Sequence, residues 1–337
     1  MRRAVAALSL LGLTVACSPS APDEAGSSPV ASSTPAATNA DLTAGSPTDT
    51  ASTAPRSTAT PKPSATPKPP AMDARAALRD IDYLADDIGP REATSDNFDE
   101  AAQFVQTRFE RLGYDVRRTT FRVPSGVSWG TPVPRGTSLN VIAEPKGFDP
   151  KKPHVVIGAH LDTVPVAPGA EDNASGIAVM LQLAGMASQQ PAALPVQFIA
   201  FGAEEPRGNG DALHHFGSRD FVADLSRSQR RAIQAMVSLD RVGVRASYVP
   251  VCTATDRGNR LRNSIRAAAR RADIATRTCT NFASDHWSFA KAGVPAVRLG
   301  SIPYAGYHSR GDVPRVVDRR QLDRVGRTVW AWLVTLN

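Results

Sequence analysis

The chain has 337 residues, of which 42% are hydrophobic and 6% aromatic, and its formal net charge is +7. This length leaves room for one ordinary domain with a sizeable core. The lysines and arginines are scattered among acidic residues, without a basic stripe interleaved with aromatic side chains. The charge therefore indicates a solvated basic surface and argues against a nucleic-acid partner.

The N-terminal segment, residues 1–16, resembles a signal peptide. Two arginines precede an apolar run over residues 4–16, which is too short to cross a bilayer as a permanent helix. Cys17 follows the small residue Ala16, which resembles the processing site of a bacterial lipoprotein, where the cysteine becomes the lipidated first residue. We therefore expect Cys17 to anchor an exported protein to the extracytoplasmic face of the cell membrane. The alternative is an ordinary signal peptide with an incidental cysteine.

Residues 17–71 are dominated by Ser, Thr, Ala and Pro and end in repeated Pro-Lys-Pro units. No apolar periodicity offsets the entropy cost of ordering this segment. We expect a disordered tether that stiffens towards polyproline II near its end and reaches about 40 Å. An O-glycosylated stalk is compatible with the same composition. Residues 72–337 are then predicted to fold as one domain.

Hydrophobic periodicity predicts alternating helices and strands in this domain. The predicted helices cover residues 74–88, 97–112, 175–186, 216–225, 257–272 and 319–336. The predicted strands cover residues 114–123, 139–143, 155–159, 196–201, 236–239 and 294–299. Largely apolar strands that alternate with helices predict an α/β fold, with a mostly parallel central sheet sandwiched by helices.

Apart from Cys17, the cysteines of the chain are Cys252 and Cys279. Two remaining cysteines in an oxidising compartment usually pair, so we expect a disulfide between them. No CxxC spacing exists, which argues against a zinc site built from cysteine.

Acidic residues and histidines follow four predicted strands at the point where each strand ends, and Asp172 lies where a predicted helix begins. The carboxyl ends of parallel strands meet at one edge of a sheet, so these side chains are expected to converge there. Histidine together with carboxylates is a donor set typical of divalent metal ions. The residues concerned are His160, Asp162, Asp172, Glu204, Glu205, Asp240 and His308.

These residues lie in motifs that resemble the zinc aminopeptidases of the M28 type, relatives of the bacterial leucyl aminopeptidases. The resemblance covers most of the chain from about residue 73 to the end, with the motifs in the same order. The motifs are His160-Leu161-Asp162, Glu171-Asp172-Asn173-Ala174-Ser175-Gly176, Phe201-Gly202-Ala203-Glu204-Glu205, Ser238-Leu239-Asp240, Ser284-Asp285-His286 and Tyr307-His308-Ser309.

The resemblance implies a metallopeptidase domain that binds two zinc ions and removes N-terminal amino acids from peptides. By position, His160 and Asp240 hold one zinc ion, Glu205 and His308 hold the other, and Asp172 bridges them. Each ion then has three protein ligands and an open position, as catalytic zinc requires.

Two further residues are expected to take part in catalysis. Glu204, next to a ligand but not itself a ligand, is implied to activate the water between the metal ions and to pass its proton to the leaving amine. Asp162 returns to the same side of the chain as His160 and can orient its imidazole through the carboxylate.

Several other residues remain open at this stage. Arg241 stands directly after a predicted ligand, where the family has an apolar residue, and can pair either with a substrate carboxylate or with a nearby acid. His214 and His215 lie in a stretch that is long for the family and are expected to be surface residues rather than substrate contacts. Asp285 and His286 are expected to support the structure, and the alternative is that they line the pocket or fix a ligand.

Three alternative functions are compatible with parts of the sequence. A serine hydrolase would use the motif Gly126-Val127-Ser128-Trp129-Gly130, but prolines after it prevent the helix that a nucleophile elbow needs. A mono-zinc glutaminyl cyclase shares much of the same scaffold. A catalytically inactive binding module on this scaffold is the third alternative, although the full set of ligands and the base is present.

Overall fold

The computed structural model describes residues 70–336. The predicted signal peptide, Cys17 and the predicted tether up to residue 69 lie outside the described residues. The helices are α1 (Ala74–Asp82), α2 (Asp96–Arg111), α3 (Ser175–Gln189), α4 (Phe216–Asp224), α5 (Arg227–Ala232), α6 (Gly258–Arg271), α7 (His286–Lys291) and α8 (Arg319–Leu333). The strands are β1 (Asp115–Val123), β2 (Gly126–Ser128), β3 (Thr131–Val133), β4 (Gly136–Glu144), β5 (His154–His160), β6 (Val196–Phe201), β7 (Ile233–Leu239), β8 (Val249–Thr253), β9 (Thr276–Thr280) and β10 (Ala296–Leu299).

The main sheet contains eight strands in the order β1-β4-β6-β5-β7-β10-β8-β9. Neighbouring strands are parallel in the pairs β6–β5, β5–β7, β7–β10 and β8–β9, and antiparallel in the other pairs. The predicted α/β fold with a mostly parallel central sheet between helices is confirmed.

Both faces of the central strands are buried, which explains their nearly continuous apolar sequences. In β5, Val155 and Ile157 pack into the larger core, to which α1, α2, α3, α6 and α8 contribute. Val156, between them, packs into a second core with residues of α4 and α7. Successive side chains of a strand point to opposite faces. A strand that is buried on both sides has no polar face, so its sequence does not alternate between apolar and polar residues.

The predicted helices and strands are confirmed, with ends that shift by a few residues. The prediction missed the short hairpin β2–β3, the helices α5 and α7, and the strands β8 and β9 at one edge of the sheet. Cys252 of β8 is the register partner of Cys279 of β9, and a disulfide joins them. No helix between residues 70 and 336 is long and apolar enough to cross a membrane.

Candidate metal centre

The carboxyl ends of β5, β6 and β7 lie at one edge of the sheet, because these strands are parallel neighbours. His160 is the last residue of β5, and Asp240 directly follows β7. Glu204 and Glu205 come shortly after the end of β6. The topology therefore brings together the side chains that the sequence placed at separate strand ends.

Asp172 lies between two histidines that are far apart in the sequence. Its Oδ1 is 3.1 Å from Nε2 of His160, and its Oδ2 is 3.1 Å from Nε2 of His308. One carboxylate thus offers a different oxygen to each imidazole. A carboxylate that bridges two metal ions needs this arrangement.

Asp240 and Glu205 each approach one of these imidazoles. Oδ1 of Asp240 is 3.9 Å from Nε2 of His160, and Oε1 of Glu205 is 3.5 Å from Nε2 of His308. The five predicted ligands therefore form two groups that share the carboxylate of Asp172.

Two sets of ligand atoms are close enough to hold a metal ion, and within each set the atoms lie within 4.8 Å of one another. The first set is His160, Asp172 and Glu205, and the second is His160, Glu204 and Asp240. These sets differ from the predicted grouping, because His160 belongs to both, His308 to neither, and Glu204, the expected base, lies close enough to be a ligand.

The carboxylates of the site are buried, and their charges act on one another. Burial, together with the negative charges of Asp172 and Glu204, raises the pKa of Glu205 well above its usual range. Burial also raises the pKa of Asp172, but hydrogen bonds from His160 and His308 outweigh it and hold the pKa well below its usual range. Within the described part of the chain, Oε1 of Glu205 has no hydrogen-bond partner. Buried acids and imidazoles in this arrangement fit divalent cations, and zinc in particular.

Asp162 contacts His160 through its backbone carbonyl, and Glu204 and Glu205 through its carboxylate. Contrary to the predicted contact, its Oδ1 is 3.9 Å from Nδ1 of His160, and its backbone carbonyl lies closer, at 3.1 Å. The carboxylate instead accepts hydrogen bonds of 3.0 Å from the backbone N–H groups of Glu204 and Glu205. Ala203, with a φ of 52°, turns the chain just before this pair. Asp162 therefore fixes the turn that carries both glutamates.

Asp312 supports the loop of Asp172 in the same manner. Its Oδ1 accepts the N–H of Glu171 at 2.8 Å, and its Oδ2 accepts the N–H of Asp172 at 3.0 Å. The hydroxyl of Tyr304 also donates to Oδ2, at 3.0 Å. Asp312 was not among the predicted site residues, because no local pattern in the sequence indicates a contact between residues 140 positions apart.

Arg298 of β10 is a second site residue that was not predicted from the sequence. Its side chain is buried, and Nη2 donates to Oδ1 of Asp240 at 2.8 Å. Burial raises the pKa of Asp240, but the positive charges of Arg298 and His160 outweigh it and hold the pKa well below its usual range. An arginine inside an apolar strand is a signal for a buried acidic partner, since unpaired charges are rarely buried.

Arg241 also lines the site, and it is held in place by its surroundings. Its Nη2 donates to Oγ of Ser301 at 2.7 Å, and its guanidinium lies 4.2 Å from the centre of the Tyr307 ring. Its Nε is 3.9 Å from Oδ1 of Asp240, which is too long for a hydrogen bond. Arg241 thus places a positive charge next to the predicted ligands.

Comparison with known proteins decides the family. Residues 140–333 match peptidase family M28 over more than half of the chain. The chain belongs to peptidase family M28.

Curated relatives of this M28 chain include several aminopeptidases. Aminopeptidase YwaD of Bacillus subtilis (strain 168) is 32% identical over 206 residues, which cover 58% of this chain and 44% of YwaD. The probable lipoprotein aminopeptidase LpqL of Mycobacterium tuberculosis is 35% identical over 102 residues, or 30% of this chain and 19% of LpqL. The chain spans less than half the length of these relatives.

Solved structures with a similar fold include a zinc aminopeptidase and a glutaminyl cyclase. The zinc aminopeptidase BSAP from Bacillus subtilis has a TM-score of 0.69 at 20% identity, covering 79% of this chain and 95% of BSAP. The Bacteroides thetaiotaomicron glutaminyl cyclase bound to N-acetylhistamine has a TM-score of 0.69 at 19% identity, covering 80% of this chain and 100% of the cyclase. At this level of identity the similarity shows the fold alone.

The motif around Ser128 forms a hairpin in this M28 domain, and not a nucleophile elbow. Ser128 ends β2, Trp129 and Gly130 form the turn, and β3 follows. The hydroxyl of Ser128 has no hydrogen-bond partner within residues 70–336, so no base activates it. Trp129 is 57% exposed, and its ring lies 4.2 Å from the imidazole of His308. The hairpin therefore contributes an aromatic wall to the site.

The remaining candidate residues occupy different positions. His286 is buried, with Nε2 2.9 Å from the carbonyl oxygen of Asn281, which agrees with the expected structural role. Asp285 is fully buried beside it. His214 lines the cavity of the site, whereas His215 is almost completely buried, with Nε2 3.3 Å from Oε1 of Glu204. The expectation that His215 is a surface residue is therefore wrong.

Proposed function

We propose that this M28 chain is a two-metal aminopeptidase that removes N-terminal amino acids from peptides. The observation that supports it most strongly is the position of Asp172, whose two oxygens each lie 3.1 Å from a different imidazole. A single metal ion does not require a carboxylate placed between two histidines. Relatives that are named aminopeptidases, such as YwaD, support peptides as the substrate class.

In this proposal His160 and Asp240 hold one zinc ion, Glu205 and His308 hold the other, and Asp172 contacts both. Three protein ligands for each ion leave a position open for substrate, as in catalytic zinc sites. When bound, the two ions supply Lewis-acid polarisation of the scissile carbonyl and lower the pKa of water. Other divalent ions also suit a carboxylate-rich set of ligands.

Glu204 is the proposed general base. Its side chain lines a cavity of about 120 Å³ together with the proposed ligands, and its backbone is held by Asp162. Burial raises the pKa of Glu204, but the positive charges of His160 and His215 outweigh it and lower the pKa below its usual value. With metal bound, His160 would be a neutral ligand, and the ion would supply the positive charge in its place. The carboxylate is therefore ionised at neutral pH, so that it can accept a proton from the attacking water and pass it to the leaving amine.

A mono-zinc glutaminyl cyclase is the second candidate. The fold matches a glutaminyl cyclase and a zinc aminopeptidase with the same TM-score of 0.69. The pairing of His308 with Glu205 beside Asp172 favours two ions and hence the aminopeptidase. The products distinguish the two functions, since a cyclase converts an N-terminal glutamine into a ring and releases no amino acid.

We also propose that the chain is exported and held at the membrane by a lipid on Cys17. A disulfide between Cys252 and Cys279 suits an oxidising compartment outside the cytoplasm. LpqL, a relative over part of the chain, is named a probable lipoprotein. Mass spectrometry of the mature N-terminus tests the proposal, and a Cys17 without lipid would refute it.

The enzymatic proposal is tested by incubating the purified full chain with peptides that have a free or an acetylated N-terminus, and with peptides that begin with glutamine. We expect release of the N-terminal amino acid from the free peptides only. A chelator should abolish the release, and added zinc should restore it. Formation of the glutamine ring without release of amino acids would support the cyclase instead.

Two glutamate variants distinguish the loss of the general base from the loss of one negative charge elsewhere. Glu204→Gln should lower kcat by about 10²- to 10⁴-fold, because the amide cannot accept the proton. Glu110→Gln, on the exposed surface of α2, is the matched control and should keep wild-type activity. Wild-type turnover in Glu204→Gln would refute the assignment of the base.

A further inference from the structure

We propose that His215 is a positioning residue for Glu204. In this role its imidazole donates a hydrogen bond to one oxygen of the Glu204 carboxylate and so fixes the direction of the other oxygen. The inference rests on the proposed function, in which Glu204 is the base. It starts from the distance of 3.3 Å between Nε2 of His215 and Oε1 of Glu204.

The burial of His215 shows that this contact is built into the fold. Only 3% of the residue is exposed, although it precedes a helix in a stretch of loop. Among the described residues neither of its ring nitrogens makes a hydrogen bond, and Oε1 of Glu204 approaches Nε2 at 3.3 Å. A buried imidazole loses its hydrogen bonds to water, and the nearby carboxylate is the group that compensates for this loss.

The backbone keeps His215 beside the base. The N–H groups of residues 215, 216 and 217 donate in turn to the carbonyls of residues 204, 203 and 202, at 3.0, 2.8 and 3.0 Å. A Cβ at Gly217 would lie 2.4 Å from the carbonyl oxygen of Gly202, so only glycine permits this close approach. The two segments therefore have a fixed register, in which His215 lies opposite Glu204.

The conformation of His215 is also one that needs support from its surroundings. Its φ is 56°, in the left-handed region that residues other than glycine and asparagine rarely adopt. Residues in this region persist where the rest of the structure holds them, and they are concentrated at functional sites. Here the unusual backbone lies directly before α4 and next to the base.

The contact between His215 and Glu204 favours one tautomer of the imidazole. The Glu204 carboxylate is an acceptor, so the tautomer that carries its proton on Nε2, the nitrogen 3.3 Å from Oε1, suits this contact. The imidazole then donates from Nε2 to Oε1 of Glu204 and keeps its own proton throughout. Oε2 of Glu204 remains free to take the proton from water and to release it to the nitrogen of the leaving amine.

The test compares three variants of His215 in the full chain, loaded with zinc. In His215→Leu and His215→Asn no donor reaches Glu204, and asparagine also tolerates the left-handed conformation. In His215→Gln an amide N–H takes the place of Nε2. The readouts are kcat and KM for a leucine peptide, zinc content for each chain, and the midpoint of thermal unfolding.

We expect His215→Leu and His215→Asn to lower kcat by about 10- to 100-fold, because a displaced base costs this much. KM and zinc content should stay within about twofold of wild type, and His215→Gln should recover most of the lost kcat. In a Glu204→Gln background, His215→Leu should cause no further loss, because the residue acts through the base.

Three results would overturn the inference. The first is an unchanged kcat in both His215→Leu and His215→Asn. The second is a kcat in His215→Gln as low as in His215→Leu, or a loss of kcat that is matched by a loss of bound zinc or by a lower midpoint of thermal unfolding. The third is a full further loss in the Glu204→Gln background. A wild-type chain that hydrolyses no peptide refutes the proposed function itself, and that result appears before any variant is compared.

Discussion

At the scale of single residues, Asp162 and Asp312 support the site in the same way. Each carboxylate accepts two consecutive backbone N–H groups, one set beginning at Glu204 and the other at Glu171. The second residue of each set is a proposed ligand. The two aspartates thus position the ligands through the backbone, without providing a ligand atom themselves.

Asp162→Asn should lower both stability and turnover. Asparagine has one acceptor oxygen in its side chain, so one of the two bonds to the backbone is lost. We expect the free energy of unfolding to fall by about 2 kcal/mol and kcat to fall by about 10- to 100-fold, because the turn of Glu204 moves. Urea unfolding and peptide hydrolysis measure the two effects.

Asp312→Asn is the control for Asp162→Asn. It should cost a similar free energy of unfolding and should weaken zinc binding through Asp172, as Asp162→Asn does through Glu205, but it should leave the turn of Glu204 in place. Equal stability and turnover of Asp162→Asn and wild type would show that the carboxylate does not hold the turn.

The pH dependence of stability should report on His286. Burial, with the positive charge of Arg298 beside it, lowers the pKa of His286 from 6.5 to about 4. The folded chain therefore prefers the neutral imidazole, and this contribution is present above about pH 6.5 and is lost as the pH falls towards 4. His286→Gln keeps a donor and does not titrate. Between pH 7 and pH 4 the free energy of unfolding should fall by about 3 kcal/mol more for the wild type than for this variant. Parallel plots of the free energy of unfolding against pH would contradict the prediction.

At the scale of secondary structure elements, the sequence predicts the sheet from β1 to β10 but not the two strands β8 and β9 at its far side. The central strands are covered on both faces, so their apolar runs stand out. Strand β9 is polar and largely exposed, and β8 contains Pro250, so neither has the pattern of a buried strand. The hairpin β2–β3 has only three residues in each strand, too few for periodicity to be visible.

The disulfide joins β8 and β9, and its loss should destabilise this edge of the sheet. Cys252 and Cys279 are 27 residues apart, and closing a loop of this length stabilises a protein by about 3.5 kcal/mol in the chain-entropy model. Replacing both cysteines by serine should lower the free energy of unfolding by up to about this amount. Peptide hydrolysis at low temperature should be unchanged. A loss of turnover without a loss of stability would contradict the prediction.

At the scale of the whole molecule, the parallel sheet makes the site predictable from sequence. The proposed ligands extend from His160 to His308, yet they converge because the strands before them end at the same edge. The supporting residues Asp312, Arg298 and His215 were not predictable in this way. They act through tertiary contacts, and no spacing in the sequence reports such contacts.

The central claim is that the five proposed ligands hold two metal ions, and metal content for each chain tests it most directly. Mass spectrometry of the purified, zinc-saturated protein should give two zinc ions per chain for the wild type and for Glu204→Gln. Asp172→Ala, which lacks the shared carboxylate, should give one or none. One zinc ion per wild-type chain, or two in Asp172→Ala, would contradict the two-metal site.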